Sequence, residues 1–441
     1  MTPLDWFKKE KPLLGLLGTG GGNAIGGVSS DPVTVKYILV GGGGGGGGGQ
    51  GGGGGGAGAV RYATLELAGG EDHPYQVGDG GVGVASPNFP TVTGRGGQGT
   101  TSWFSDPTIT AGGGGGGGWQ QAGPPGAADV GADGSPFGGG GAGGGQTGPW
   151  EASSTGGNGG TAHPEVNMPL GSTYGGARGY GGPGGGSGNR GGGGAGTAQH
   201  GTDAEHGGPS AGGPTQNPGS GQKGGNGGLG MQVPTGHIPT SAAADLIPAS
   251  TANGASALYV YNPTTSYDMP APENFFGVKA PTTPYTYRLY FGSGGGGGAE
   301  TERGGYGAGS PGWLTTGNYG GGGPAAGNST NDPSLGANGA PGLNGRGGGG
   351  GGGGPGGNIA PGVNPASPTG SWPNQGHPGG AGILIVQYPK DRTLTRSQPT
   401  YTSIISGPTP EGFDYFVALG PAGPSKGYAW PHPGQGTLNW A

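Results

Sequence analysis

Apolar and polar residues alternate along Val60-Arg61-Tyr62-Ala63-Thr64-Leu65-Glu66-Leu67, the two-residue period of a half-buried strand. Just upstream, Thr34-Val35-Lys36-Tyr37-Ile38-Leu39-Val40 is a β-branched, mostly apolar run of strand length. Similar short patterns predict strands at Tyr75-Gln76-Val77-Gly78, Thr100–Phe104, Thr108–Ala111, Leu258–Tyr261, Tyr285–Phe291, Ile383–Pro389, Tyr401–Ile405 and Asp414–Leu419. One helical turn or two is predicted at Ser241–Ile247, stopped by Pro248. No longer helical period is present, so the pattern predicts an all-β, irregular fold built of short strands.

The segments downstream of these strands are less usual. Val40 leads directly into Gly41–Gly58, where sixteen of eighteen residues are glycine, interrupted by Gln50 and Ala57. Ala111 leads into Gly112–Gly118 and Phe291 into Gly294–Gly298, so the hand-off from strand to glycine recurs. Further runs stand at Gly138–Gly141, Gly143–Gly145, Gly191–Gly194, Gly320–Gly323 and Gly347–Gly354. Glycine loses the most backbone freedom on folding and brings no side chain to bury, so such a run is not ordered by a hydrophobic core. It can be ordered by other glycine runs. Extended strands with three residues per turn point their amides outward. Each amide bonded to a neighbour contributes about 0.5–1.5 kcal/mol net, and each Cα–H···O contact about 0.5–1. The opposing backbone entropy is about 1–2 kcal/mol per residue and larger for glycine. The two sides are comparable, so packed polyglycine-II strands are expected where glycines are dense.

Composition sharpens this reading. Of 441 residues 130 are Gly and 43 Pro, while 29% are hydrophobic and 9% charged, too little apolar material for one conventional core. Gln50, Ala57 and Ala59 break the every-third-glycine register that collagen needs. The net charge of −6 is thinly spread with no basic run, which argues against nucleic-acid binding. With no cysteine there is no disulfide scaffold, thiolate metal site or cysteine nucleophile. No apolar run is long enough for a membrane-spanning helix, and the Leu13-Leu14-Gly15-Leu16-Leu17 patch is shorter than a secretory apolar region. Assembly in a cytoplasm is expected.

The order YILVGGGGGGGGG, VRYATLEL, YQVGDGG, GQGTTSWF, TITAGGGGGGG, closing on Gly379–Pro389, resembles the glycine-rich domain common in bacteriophage virion proteins and marine bacterial surface proteins. The likeness covers roughly residues 33–390. The opening TPLDWFKKEKPLLGLLG resembles N-termini of structural proteins of cyanobacterial phages, and the whole is similar to tail-fibre adhesins with layered polyglycine-II tips. The length of this chain and the long insertions between its glycine runs depart from that pattern. The resemblance implies a virion structural protein, a tail fibre or appendage with host-receptor contact to a surface glycan, and a homotrimer. The alternatives are a capsid-bound decoration protein and an extracellular glycine-rich or ice-binding bacterial protein.

Three regions are expected. Residues 1–30 form an N-terminal arm whose Trp6, Phe7, Leu13, Leu14, Leu16 and Leu17 either fold back on the domain or dock into another virion protein. Residues 31–390 form the glycine-rich domain, and 391–441 a C-terminal appendage that covers an edge or meets a neighbour. Trp103, Trp119, Trp150, Trp313 and Trp372 lie beside glycine runs or loops. They either cap the glycine layers or contact a partner.

No catalytic reading survives inspection. G-x-G-x-x-G recurs by composition and lacks the strand–turn–helix unit that a dinucleotide needs. Gly208-Pro209-Ser210-Ala211-Gly212 fits the nucleophile elbow formally, but no apolar strand precedes it. Glu71, Asp72 and His73, or Asp203, Glu205 and His206, are adjacent acids and histidines whose plain role is loop decoration rather than convergent metal ligation. Asn328-Ser329-Thr330 is a glycosylation sequon that matters only on a secretory route. No enzyme, cofactor, metal, nucleic-acid partner or membrane insertion is expected.

Overall fold

The computed structural model describes residues 31–49, 51–84, 94–119, 121–122, 131–135, 138–141, 143–144, 146–147, 191–197, 201, 224–225, 227–228, 230–232, 278–279, 287–288, 290–298, 342, 345, 347–353, 376–397, 402–406, 412–420 and 434–441. Outside them lie the N-terminal arm with its six docking side chains, the predicted helical turn at 241–247 and the predicted strand at 258–261. Gly320–Gly323, Trp150, Trp313 and Trp372 also lie outside.

No helix occurs among the described residues, and the fold is all-β. Sixteen strands follow in order: β1 (Val33–Val40), β2 (Val60–Leu67), β3 (His73–Gln76), β4 (Ser102–Phe104), β5 (Asp106–Ala111), β6 (Gln121–Ala122), β7 (Gln146–Thr147) and β8 (Met231–Gln232). Then come β9 (Val278–Lys279), β10 (Tyr287–Arg288), β11 (Tyr290–Phe291), β12 (Ile383–Pro389), β13 (Leu394–Arg396), β14 (Thr402–Ser406), β15 (Phe413–Leu419) and β16 (Gln435–Trp440). Two five-stranded antiparallel sheets dominate, in the orders β14-β15-β12-β1-β2 and β13-β16-β3-β4-β5. Of the predicted strand at 285–291 the described residues form β10 and β11, which pair with β9 and β8 respectively.

The two sheets share one core. Register places Leu39, Leu384 and Ala418 in one row across β1, β12 and β15, and Tyr37, Val386 and Phe416 in the next. With Val33, Val35 and Leu67 they face Tyr75, Phe104, Ala111, Leu438 and Trp440 of the second sheet. Rings meet across the gap: Tyr37 and Phe104 centroids lie 5.7 Å apart, Tyr75 and Phe416 5.5 Å, Tyr388 and Trp440 6.1 Å. Such tilted and edge-on pairs contribute about 0.5–1.5 kcal/mol each beyond area burial.

Within 391–441, read from sequence as an appendage that covers an edge or meets a neighbour, the described strands pair within both sheets: β15 lies against β12, and β16 lies between β13 and β3. Tyr415, Phe416, Ala418, Leu438 and Trp440 are fully buried. The turn between β4 and β5 consists of Ser105 alone, in the left-handed region with φ 61°. Its amide donates to Pro74 O at 2.7 Å, and its hydroxyl lies 3.2 Å from His73 Nδ1.

Candidate functional site

At Val40 the side chains stop and the chain does not turn. Gly41 to Gly47 each donate a backbone hydrogen bond to another segment, and the acceptor rotates with a period of three. Gly41, Gly44 and Gly47 donate to Ala59, Gly56 and Gly53; Gly42 and Gly45 donate to Thr100 and Gly97; Gly43 and Gly46 donate to Gly380 and His377. These distances run from 2.8 to 3.0 Å. A three-residue rotation is the signature of the polyglycine-II helix.

The carbonyls are used in the same way. Gly42 and Gly45 accept from Gly114 and Gly117, Gly43 from Gly81, and Gly44 and Gly47 from Gly350 and Gly353. The strand 41–48 therefore has six neighbours. Segments 51–59, 94–100 and 376–382 run antiparallel to it and take its amides; 78–84, 112–118 and 347–353 run parallel and supply its carbonyls with donors. Segment 51–59 is surrounded likewise, by 41–47, 112–118, 347–353, 138–141, 191–195 and 293–298. Eight residues at about 3.1 Å each make a rod of roughly 25 Å. All six neighbours of 41–48 come from the same chain.

Only glycine fits here. A Cβ on Gly41, Gly44 or Gly47 would lie 1.8–2.1 Å from a carbonyl oxygen of Gly112, Gly115 or Gly118. On Gly42 and Gly45 it would meet Asp79 O and Val82 O, and on Gly43 and Gly46 it would meet Gly348 O and Gly351 O, at 1.8–2.1 Å. The space a side chain would take is filled by backbone, with the Cα hydrogen directed at a carbonyl. Alanine takes a few buried positions in the array: Ala57 donates to Ala195 O at 2.8 Å, and Ala59 and Ala381 stand where their segments meet the sheets. Next to Ala57, a Cβ on Gly292, which has φ 68°, would lie 2.8 Å from Gly58 O.

The outer strands obey a different rule. In Gly94-Arg95-Gly96-Gly97-Gln98-Gly99 the glycines at 96 and 99 face inward, where a Cβ would meet Gly45 O and Gly42 O, whereas Arg95 and Gln98 are exposed. In 78–84, Gly78 and Gly81 are buried and Val82 is 41% exposed. Glycine at all three positions of the turn marks an interior strand; glycine at two of three marks a surface strand with one outward column. That period was readable in GDGGVG and GRGGQG.

The sandwich and the array are joined at Ser102, which sequence reasoning missed because nothing in Thr100-Thr101-Ser102-Trp103 distinguishes it. Its buried hydroxyl donates to Val40 O at 2.6 Å and accepts from Gly78 N at 2.8 Å. One side chain thus ties both sheets at the level where they close into backbone contact.

Of the expected surface aromatics, Trp103 is half-buried on β4 and its indole N–H donates to Gln76 Oε1 at 3.0 Å. Trp119 follows 112–118 at the end of the array remote from the sandwich; it is partly exposed, and its indole nitrogen has no hydrogen-bond partner. At 71–73, read from sequence as loop decoration, Asp72 accepts from Asn439, while His73 is buried with Nε2 donating to Ala68 O at 2.9 Å. Among the described residues no three acidic or histidine side chains gather as metal ligands, and no helix is long and apolar enough to cross a membrane. Burial raises the phenols of Tyr75 and Tyr388 to about 12; for Tyr388 the Asp414 carboxylate adds to the effect.

Residues 18–233 match the family described as glycine-rich domain. No curated protein and no solved structure matches the chain. The described array draws on this span for 41–59, 78–84, 94–100, 112–118, 138–141 and 191–195, and beyond it for 293–298, 347–353 and 376–382. Over residues 18–233, then, the chain carries a glycine-rich domain.

Proposed function

We propose that the protein is a structural component of a bacteriophage virion, a tail fibre or appendage that holds a contact surface away from the particle. The observation that carries the structural part is the strand 41–48 with every amide from Gly41 to Gly47 bonded to one of three antiparallel neighbours. A body braced this way resists bending on all sides and offers a protease no free backbone in its interior. Its sequence holds only 17 Lys and Arg, so tryptic sites are sparse as well. The virion part rests on the likeness of the strand-to-glycine hand-offs to phage glycine-rich domains, and on the phage-like opening at residues 2–18.

In this reading the protein does no chemistry. The sandwich end is the base, and the end of the array that carries Gly49 and Trp119 points outward to a host-surface glycan. The protein acts as a homotrimer, and its N-terminal arm engages other virion proteins. Immunogold labelling of intact phage particles with an antibody to the C-terminal Ala441 region tests this. Label on tails or fibres is the expected result. Label on the capsid shell points to a decoration protein, and label on bacterial envelopes without particles overturns the virion assignment.

A further inference from the structure

The array is built from two parts that are remote in sequence. One part, residues 33–298, supplies 41–48, 51–59, 78–84, 94–100, 112–118 and 293–298. The other, 342–420, supplies 347–353 and 376–382 and then β12 and β15. The second part is coherent by itself: His377 and Gly380 donate to Gly351 and Gly348, Gly342 donates to Pro378, and Gly345 and Gly347 donate to Ala381. It seats in a trough lined by 41–48, 51–59, 78–84 and 293–298. There it takes the amides of Gly43, Gly46, Gly52, Gly55 and Gly58 and donates to the carbonyls of Gly44, Gly47, Gly78 and Gly81. The same part continues into the sheet, with β12 paired to β1 from Lys36↔Gln387 to Val40↔Ile383.

We propose that this trough is an interaction surface for glycine strands, and that it accepts the 342–420 part of a second copy of the chain as readily as its own. Three features lead there. Over 347–353 and 376–380 the hydrogen bonds of the seat come from backbone groups, and every copy presents the same ones. Glycine strands carry no side-chain pattern to prefer one partner or register, the situation in which strand exchange is easiest. The 342–420 part is linked to 293–298 through residues 299–341, and long connections add little to the cost of closure whether the partner is the same chain or another. The occupant is specified chemically: it must carry glycine wherever it faces the trough, because a Cβ on Gly379 would lie 2.0 Å from Gly43 O and one on Gly382 2.0 Å from Val40 O. Exchange of this kind rests on the homo-oligomer reading above and supplies its contact, but it is tested in solution and does not depend on where the protein sits in a particle.

The test uses two differently tagged full-length copies, unfolded together in denaturant and refolded as a mixture. Exchange yields doubly tagged, protease-resistant species that persist on dilution; a refolded mixture holding only singly tagged species overturns the proposal. A pair of variants sharpens it. Gly43→Val spoils the trough but leaves a sound 342–420 part, and Gly379→Val does the reverse. Each alone is expected to lose its folded fraction, and co-refolding is expected to restore folded, doubly tagged protein to near half the wild-type yield, since one of two troughs is intact. Wild-type-like refolding without double tagging, or failure of the pair to rescue each other, counts against exchange. Particle labelling that fails would remove the virion assignment and leave these outcomes unchanged.

Discussion

The same strands are held in two ways along their length. From Val33 to Val40, β1 is buried through Tyr37, Leu39 and their neighbours, and the facing sheets are kept apart by rings such as Tyr37 and Phe104 at 5.7 Å. From Gly41 onward the facing segments touch directly, Gly42 N donating to Thr100 O at 3.0 Å. In the sandwich, burial of apolar area opposes chain entropy; in the array, a saturated set of amide and Cα–H contacts does so. The sandwich therefore tolerates a range of apolar residues if volume is kept. At Gly41 to Gly47 the array tolerates no side chain, since the atom opposite each missing one is a backbone oxygen that cannot swing away.

That contrast can be broken most severely inside the array. Gly44→Val puts a branched side chain where a Cβ already meets Gly115 O at 2.0 Å. Destabilisation beyond about 5 kcal/mol, seen as failure to recover protease-resistant protein, is expected. If the variant melts like the wild type, the array is not the close-packed body described. In the sandwich, Trp440→Ala empties a fully buried site and should lower stability by about 3–5 kcal/mol in denaturant unfolding. At the junction, Ser102→Ala leaves Val40 O and Gly78 N without their side-chain partner. A loss of about 1–3 kcal/mol is expected, without loss of either sheet by circular dichroism.

Alkaline titration separates the two regions more gently. Tyr75 and Tyr388 have folded-state values of about 12, above the ordinary 10. Their contribution is intact below about pH 10 and falls away as pH rises from there to about 12, because the unfolded chain releases those protons first. Thermal melts should show the decline in that window, and Tyr75→Phe, which removes a buried hydroxyl with no hydrogen-bond partner, should flatten it. Among the described residues the buried positions of the array carry no titrating side chain, so it should not respond. The smallest effect is expected on the surface column: Gln98→Ala should change stability by less than about 0.5 kcal/mol. A loss comparable to that of Ser102→Ala would show that the outward column is part of the packing.

Much of the architecture was legible in the chain. Alternation in Val60–Leu67 and the apolar run to Val40 marked β2 and β1, and the glycine runs after Val40, Ala111 and Phe291 marked the segments that pack as extended strands. β16 was not legible, because Pro, Gly and Trp around Gln435–Trp440 read as an irregular tail until Leu438 and Trp440 are seen to complete a core begun by residues far upstream. Ser102 was invisible for a related reason: a serine among threonines becomes important only when two sheets converge on its hydroxyl.

Local chemistry settled which residues could be strands and which could come into backbone contact, since the loss of every Cβ over a long run permits only sideways amide bonding or none. It could not settle which glycine segment lies beside which. Glycine runs are chemically identical, so the pairing of 41–48 with 376–382 rather than with another run carries no signature in the residues themselves. The side-chain-bearing strands decide it: β12 must sit between β1 and β15 to bury Leu384 and Val386, and the glycines attached to it are carried into place.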